Sequence, residues 1–116
     1  MAIPAFHFSG LYRDKILRKE KTASLLLGEH KYPLRGKVLI YISETPDMFD
    51  ENPKEKRYGE AEIIFLETIK LSDISDERAN RCGYKDKDKI VATMKNWFPD
   101  IKYNIIITYV EFKILF

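Results

Sequence analysis

Cysteine and histidine are scarce in this chain of 116 residues. Cys82 is the only cysteine, which excludes an internal disulfide bond. The two histidines, His7 and His30, lie far in sequence from Cys82 and from each other, without the close ligand pairs that are typical of zinc sites. We therefore expect neither a structural metal site nor a cofactor.

Long hydrophobic runs and glutamine are also missing. No apolar run approaches the roughly 20 residues that a membrane-spanning helix needs. The first ten residues, MAIPAFHFSG, carry no basic residue ahead of their short apolar stretch, so they do not resemble a signal peptide. We therefore expect a cytoplasmic protein. The lack of glutamine beside abundant lysine and glutamate fits a thermophilic source.

The charge that is present is unevenly distributed. Residues 1–37 contain eight basic residues against three acidic ones, residues 38–62 contain three against seven, and residues 63–116 contain nine against eight. The formal net charge of the whole chain is only +2. A basic N-terminal third in a nearly neutral chain indicates an anionic partner.

Hydrophobic periodicity and turn residues predict an alternation of strands and helices. Ser9 is the expected cap of the first helix, and Ser72 or Ser75 that of the second. The charged stretch with two prolines is predicted to be a loop. The predicted strands are 3–8, 22–28, 37–43, 60–70 and 103–116; the helices are 10–19, 72–83 and 86–98; the loop is 44–59.

This order predicts an α+β fold in one domain over residues 1–116. Five strands and three short helices in a chain of this length suit a small mixed, partly open β-barrel. Only eight residues separate the strands 22–28 and 37–43, which leaves no room for a crossover helix and disfavours a doubly wound parallel sheet. The long apolar final strand is expected to form an edge through which two copies could pair as a homodimer.

One short stretch points to function. Residues 18–30 read RKEKTASLLLGEH, so a basic run leads through Lys21 and Thr22 into an apolar strand. On that strand Thr22, Ser24 and Leu26 alternate, which puts the two hydroxyls and the leucine on one face. The sequence therefore predicts a lysine and two hydroxyls above an apolar wall.

The pattern LYRDKILRKEKTASLLLG, followed by RGKVLIYI, resembles the activating signal cointegrator homology (ASCH) domain family of the PUA-like superfamily. Members of that family carry a helix, then Gly-x-Lys-Thr-x-Thr-x-Arg opening a strand, then Gly-Asp or Gly-Lys before the next strand. Lys21, Thr22 and Ser24 match the first motif, and Gly36 and Lys37 match the second. The tail NWFPDIKYNIIITYVEFKIL resembles the last helix and closing strand of the family.

The resemblance implies a small β-barrel flanked by helices, with RNA or a modified nucleoside as partner. The small single-domain branch most similar in layout includes an acetylcytidine amidohydrolase, in which the motif lysine, the second threonine and a downstream glutamate act in catalysis. In this chain Leu26 replaces the motif arginine, and Cys82 stands where that branch has its glutamate. Glu62 and Glu77 are the alternative acids, and the spacing selects neither.

Two functions follow from these residues. The first is RNA or nucleotide binding at a basic cleft around the Lys-Thr-x-Ser motif, between helix 10–19 and the barrel. The alternative is an amidohydrolase acting on an acetylated cytidine, with Lys21 and Ser24 as catalytic residues. Trp97, Phe98, Tyr12 and Phe8 could stack on bases, but helical spacing favours core positions for Trp97 and Phe98. The predicted ligand-binding residues are Lys21, Thr22, Ser24, Arg18, Lys19, Arg13, His30 and Tyr58. Tyr58 and Phe49 lie in the predicted loop, where either aromatic ring could cover a bound base.

Overall fold

The computed structural model describes residues 3–44 and 54–116, and it confirms the predicted α+β, partly open barrel. Its elements follow the predicted order of five strands and three short α-helices, with two additional 3-10 turns, Gly10–Tyr12 and Leu71–Asp73. The strands are β1 (Ala5–Phe8), β2 (Ala23–Leu27), β3 (Lys37–Ser43), β4 (Glu55–Lys70) and β5 (Ile106–Ile114), and the helices are α1 (Arg13–Leu17), α2 (Asp76–Arg81) and α3 (Lys87–Trp97).

Side-chain caps begin the helical segments. The Ser9 hydroxyl accepts a hydrogen bond from the Leu11 N–H, and the Ser75 hydroxyl accepts one from the Arg78 N–H. These bonds satisfy N–H groups that have no partner inside the helix. The predicted helix 72–83 is in fact a 3-10 turn followed by the shorter α2, because Ser75 caps the second segment.

The five strands form one sheet in the order β1-β3-β4-β5-β2. β1 runs parallel to β3, and all other neighbours are antiparallel. The expectation that the final strand forms an edge is wrong, because β5 is hydrogen-bonded to β4 on one side and to β2 on the other. The edges of the sheet are β1 and β2, and the predicted homodimer through the C-terminal strand stays a prediction.

β4 begins earlier than the sequence predicts. Residues 55–59 were expected in the loop 44–59, but Glu55 and Lys56 pair with Ser43 and Ile42 of β3. Pairing with an existing strand outweighs the low strand propensity of a charged segment. Tyr58 therefore lies in a strand and not in a loop, whereas Phe49 lies outside the described residues.

Two hydrophobic clusters flank the sheet. The first fills the inside of the partial barrel, where the Phe112 ring of β5 lies 6.1 Å from the Phe6 ring and 5.9 Å from the Phe8 ring of β1. β1 and β5 are not neighbours in the sheet, so these contacts show that the sheet curls round its core. The second cluster packs α2 and α3 against the other face. No helix within the described ranges is long and apolar enough to cross a membrane.

Candidate functional site

A cavity of about 440 Å³ lies between the two edge strands of the sheet and helix α3. β1 and the residue after it contribute residues 7–9, and β2 contributes residues 24–27. α3 and the residue after it contribute Ile90, Met94, Trp97 and Phe98. Cavities of this size bind a single small molecule, and a mostly apolar lining with a few polar groups is typical of them.

Lys21 provides the buried cation of this cavity. Its side chain is 4% exposed, and its ammonium donates hydrogen bonds to the Cys82 carbonyl at 2.7 Å and the Ala23 carbonyl at 3.0 Å. The same ammonium lies 5.0 Å from the centre of the Tyr12 ring, within the range of a cation–π interaction. Two backbone carbonyls and an aromatic face thus hold the charge at the cavity wall.

The turn after α1 aims Lys21 inward. Lys19 adopts a left-handed conformation with φ of 60°, and the N–H groups of Glu20 and Lys21 both donate to the Lys15 carbonyl, at 2.8 and 3.1 Å. A left-handed residue reverses the chain at the end of a helix. The reversal turns the side chain of Lys21 into the protein interior, whereas the side chains of Arg18 and Lys19 stay exposed.

Burial lowers the pKa of the Lys21 ammonium to about 8, from an ordinary value of 10.5. The group is therefore still mostly charged at pH 7. Of its three N–H donors, two are used by the Ala23 and Cys82 carbonyls, and no hydrogen bond among the described residues uses the third. That donor is available to a ligand in the cavity.

This lowered pKa predicts that the free energy of unfolding rises between about pH 8 and pH 9. In that range the folded state loses the Lys21 proton while the unfolded state keeps it, so the unfolded state binds more protons and stability increases with pH. The expected gain is about 1 kcal/mol, measured by urea unfolding at several pH values. At higher pH the gain is opposed by Cys82, since burial raises its pKa to about 11 and the unfolded thiol ionises first.

The Lys21→Met variant is the control for this pH dependence. It keeps an apolar side chain of similar length but has no titrating group at position 21, so its stability should not rise over the same range. Equal slopes for the variant and the unaltered protein would show that another group causes the rise.

Two tyrosines from distant parts of the chain meet in the cavity. The Tyr12 and Tyr84 hydroxyls are hydrogen-bonded to each other, and their ring centres lie 6.1 Å apart in an edge-to-face arrangement. Burial raises the pKa of both hydroxyls, so both remain neutral at physiological pH. Cys82 also lines the cavity, but with its raised pKa the thiol is protonated and is a poor nucleophile.

The structure brings three of the predicted site residues together at the cavity: Lys21, Ser24 and His30. Leu26 lines it beside Ser24, on the same face of β2 as expected. Thr22 is half-buried and is not one of the lining residues, and its N–H donates to the Arg81 carbonyl at 2.8 Å.

The remaining predicted site residues lie elsewhere. Arg13, Arg18 and Lys19 are exposed on α1 and the turn that follows it. Of the predicted helix 10–19 only Tyr12 lines the cavity, so the second wall is formed by α3 and not by this helix. Tyr58 packs against Phe116 with 6.4 Å between ring centres, away from the lining residues.

Sequence reasoning missed three aromatic residues of the site. Tyr84 gave no signal, because its partner Tyr12 is 72 positions away. Trp97 and Phe98 were assigned to the core by their helical spacing, yet both line the cavity and Phe98 is 44% exposed. A signal was available in their position at the very end of the helix, immediately before Pro99, where side chains have fewer neighbours to pack against.

No acidic side chain of the described residues forms an ion pair with Lys21. Glu62 contacts Arg35 at 3.1 Å, and Glu77 is paired with Arg81, so both alternative acids have partners outside the cavity. Among residues 3–44 and 54–116 there is also no group of three or more histidine, cysteine, aspartate or glutamate residues that could hold a metal ion.

Comparison with known proteins supports the fold. No protein-family model and no curated protein matches the chain. The structure is similar to an ASCH domain from Lactobacillus crispatus, with a TM-score of 0.63 and 20% identity over 94% of this chain and 80% of that one. It is also similar to a DUF984 protein from Enterococcus faecalis, with a TM-score of 0.66 and 11% identity over 99% of this chain and 82% of that one. The partly open barrel with its three helices is therefore an ASCH-like fold.

Proposed function

We propose that this protein is a PUA-like RNA-binding module that takes one nucleoside of a single-stranded RNA into the cavity beside Lys21. The observation that carries the proposal is the buried ammonium of Lys21 at the wall of an aromatic-lined cavity of about 440 Å³. The proposal includes a cytoplasmic location.

The lining chemistry suits a nucleobase better than an aliphatic ligand. Tyr84, Trp97 and Phe98 offer flat aromatic surfaces, and proteins recognise unpaired bases by stacking on such rings. Ser24 and the free donor of Lys21 supply polar contacts for the exocyclic oxygen or nitrogen atoms of a base. A purely apolar ligand would leave the third donor of the Lys21 ammonium without a hydrogen bond.

The exposed basic residues of α1 and its turn would contact the RNA backbone. Arg18 forms only an exposed ion pair with Glu20 at 3.4 Å, and such pairs are weak and easily exchanged for phosphate. Lys21, in contrast, is too deeply buried to meet a phosphate on the surface. The structure therefore suggests two classes of contact, backbone contacts by Arg18 and Lys19 and a base contact by Lys21.

The salt dependence of RNA binding tests this division. Each phosphate contact of a single strand contributes about −0.7 to the slope of log K against log salt. The double variant Arg18→Gln with Lys19→Gln should therefore reduce the slope by about 1.4, measured by titration of a short cytidine-containing RNA at several salt concentrations. Lys21→Met should lower the affinity and leave the slope unchanged.

A double variant of two other exposed lysines, Lys70→Gln with Lys113→Gln, controls for the loss of charge. These residues lie on β4 and β5 and do not line the cavity. If this pair reduced the slope as much as the Arg18 and Lys19 pair, the proposed location of the RNA backbone would be wrong. Undetectable binding at low salt would contradict the function itself.

The alternative function is hydrolysis of an acetylated cytidine. It is favoured by the lowered pKa of Lys21, which leaves a larger neutral fraction of this amine near pH 7 than an ordinary lysine has, and by Ser24 in the lining of the same cavity. In the related activity a carboxylate takes part, and in the described part of the chain no carboxylate is paired with Lys21. We therefore prefer binding to hydrolysis.

Incubation with acetylcytidine separates the two functions. Chromatography should detect no cytidine above the level of a Lys21→Met control if the protein only binds. Release of cytidine that depends on Lys21 would instead establish the amidohydrolase.

A further inference from the structure

The hydrogen-bonding pattern of β2 leaves part of its backbone facing the cavity. Gly28 donates to the Ile106 carbonyl at 2.9 Å, and Phe112 donates to the Thr22 carbonyl at 2.9 Å. Because hydrogen-bonded pairs alternate along an antiparallel ladder, even-numbered residues of β2 pair with β5. The N–H and C=O groups of Ala23, Leu25 and Leu27 therefore point to the free edge.

Side chains already occupy both ends of this free edge. The Ala23 carbonyl accepts from the Lys21 ammonium at 3.0 Å. The Leu27 carbonyl accepts from the His30 ring nitrogen Nε2 at 2.8 Å. Both contacts confirm that odd-numbered carbonyls of β2 face away from β5.

Leu25 lies between these two occupied positions. Leu25 stands opposite Tyr109 of β5, and the backbone groups of Tyr109 point to the other side of β5, towards Glu67 of β4. The N–H and C=O of Leu25 therefore have no hydrogen-bond partner in β5. No hydrogen bond to either group exists among residues 3–44 and 54–116. One donor and one acceptor, side by side, thus face a cavity that residues 24–27 line.

We propose that the main-chain N–H and C=O of Leu25 bind the Watson–Crick edge of the nucleobase. This inference rests on the proposed function and assigns the group that recognises the base. Adjacent ring and exocyclic atoms of a base offer a neighbouring acceptor and donor, as N3 and the amino group of cytosine do. The N–H of Leu25 would donate to such a ring acceptor, and its C=O would accept from the exocyclic amino group.

A second β-strand is the other ligand that a free edge commonly binds. Such a strand needs a row of free groups over several residues. Here the carbonyls of Ala23 and Leu27 are held by Lys21 and His30, so within β2 only Leu25 keeps both its N–H and its C=O free on this edge. One flat ring can use that pair, whereas a strand would have to displace both side chains.

The arrangement also gives Lys21 a defined place relative to the base. Residues two apart on a strand are separated by about 7 Å, so the Lys21 ammonium at Ala23 lies beside the edge that Leu25 contacts. Its free donor would then reach a substituent of the base and not the hydrogen-bonding edge itself.

Replacing single backbone amides with esters tests this inference. Leucic acid in place of Leu25 removes the N–H and keeps the side chain, and no hydrogen bond of the β2–β5 ladder is lost. The same replacement at Leu34, an exposed turn residue with no hydrogen bond to its N–H among the described residues, is the matched control. The Leu25 ester should bind cytidine and a cytidine-containing single-stranded RNA about 10-fold more weakly, and the Leu34 ester should bind them as the unmodified protein does.

A nitrogen–proton correlation spectrum gives a second readout. Added cytidine should shift the Leu25 amide resonance downfield and slow its exchange with solvent. If either probe binds, but the Leu25 ester binds as tightly as the control and the amide does not respond, this inference is overturned and the proposed function stands. If neither probe binds the unmodified protein, both are overturned.

Discussion

Lys21→Met is expected to weaken cytidine binding by about 10-fold to 100-fold, since a hydrogen bond to a charged group contributes about 1.5–3 kcal/mol. The ammonium is buried, fixed by the Ala23 and Cys82 carbonyls, and left with one donor that has no hydrogen bond among the described residues, in a side chain that lines the cavity. A fixed donor binds a ligand without first having to be ordered. Calorimetric titration of the variant at pH 7 would measure the loss.

Lys15→Met is the matched control for this substitution. Lys15 lies six positions earlier and donates to the Gly83 carbonyl at 2.6 Å, but it does not line the cavity. Both variants remove one positive charge, with one hydrogen bond to a backbone carbonyl in Lys15→Met and two in Lys21→Met. Equal affinity losses in the two variants would show that the general positive field, and not a contact of Lys21, attracts the ligand. Circular dichroism of both variants would verify that they remain folded.

Phe112→Ala is expected to destabilise the protein by about 3–5 kcal/mol, the range for removal of a buried aromatic ring. The Phe112 ring is 1% exposed and contacts Phe6 and Phe8 across the inside of the barrel. Its removal leaves a void that the curled sheet cannot close without moving β1. Because β1 forms one wall of the ligand cavity, the substitution should also impair binding. Urea unfolding gives the change in stability.

Phe98→Ala is the contrasting substitution. Phe98 is 44% exposed and lies at the C-terminal end of α3, so removing its ring should change stability by less than about 1 kcal/mol. Its ring lines the cavity, however, so the affinity for cytidine should fall. If Phe98→Ala destabilised the protein as much as Phe112→Ala, the sequence-based assignment of Phe98 to the core would be correct after all.

The local sequence determined which segments are helices and strands. Ser9 and Ser75 cap their helical segments by contacts within three residues, and the alternation of 37–43 encodes a half-buried strand. These features depend on neighbours in the chain, so a single sequence is enough to predict them.

Tertiary structure decided where those segments meet. Residues 55–59 became a strand because β3 supplied hydrogen-bond partners, and β5 became an inner strand because β2 paired with its free side. The cavity combines Tyr12, Tyr84 and Trp97, and burial at that meeting point lowers the pKa of Lys21. Strand pairing and desolvation depend on groups that lie far apart in the chain, so their outcome is fixed only when the chain has folded.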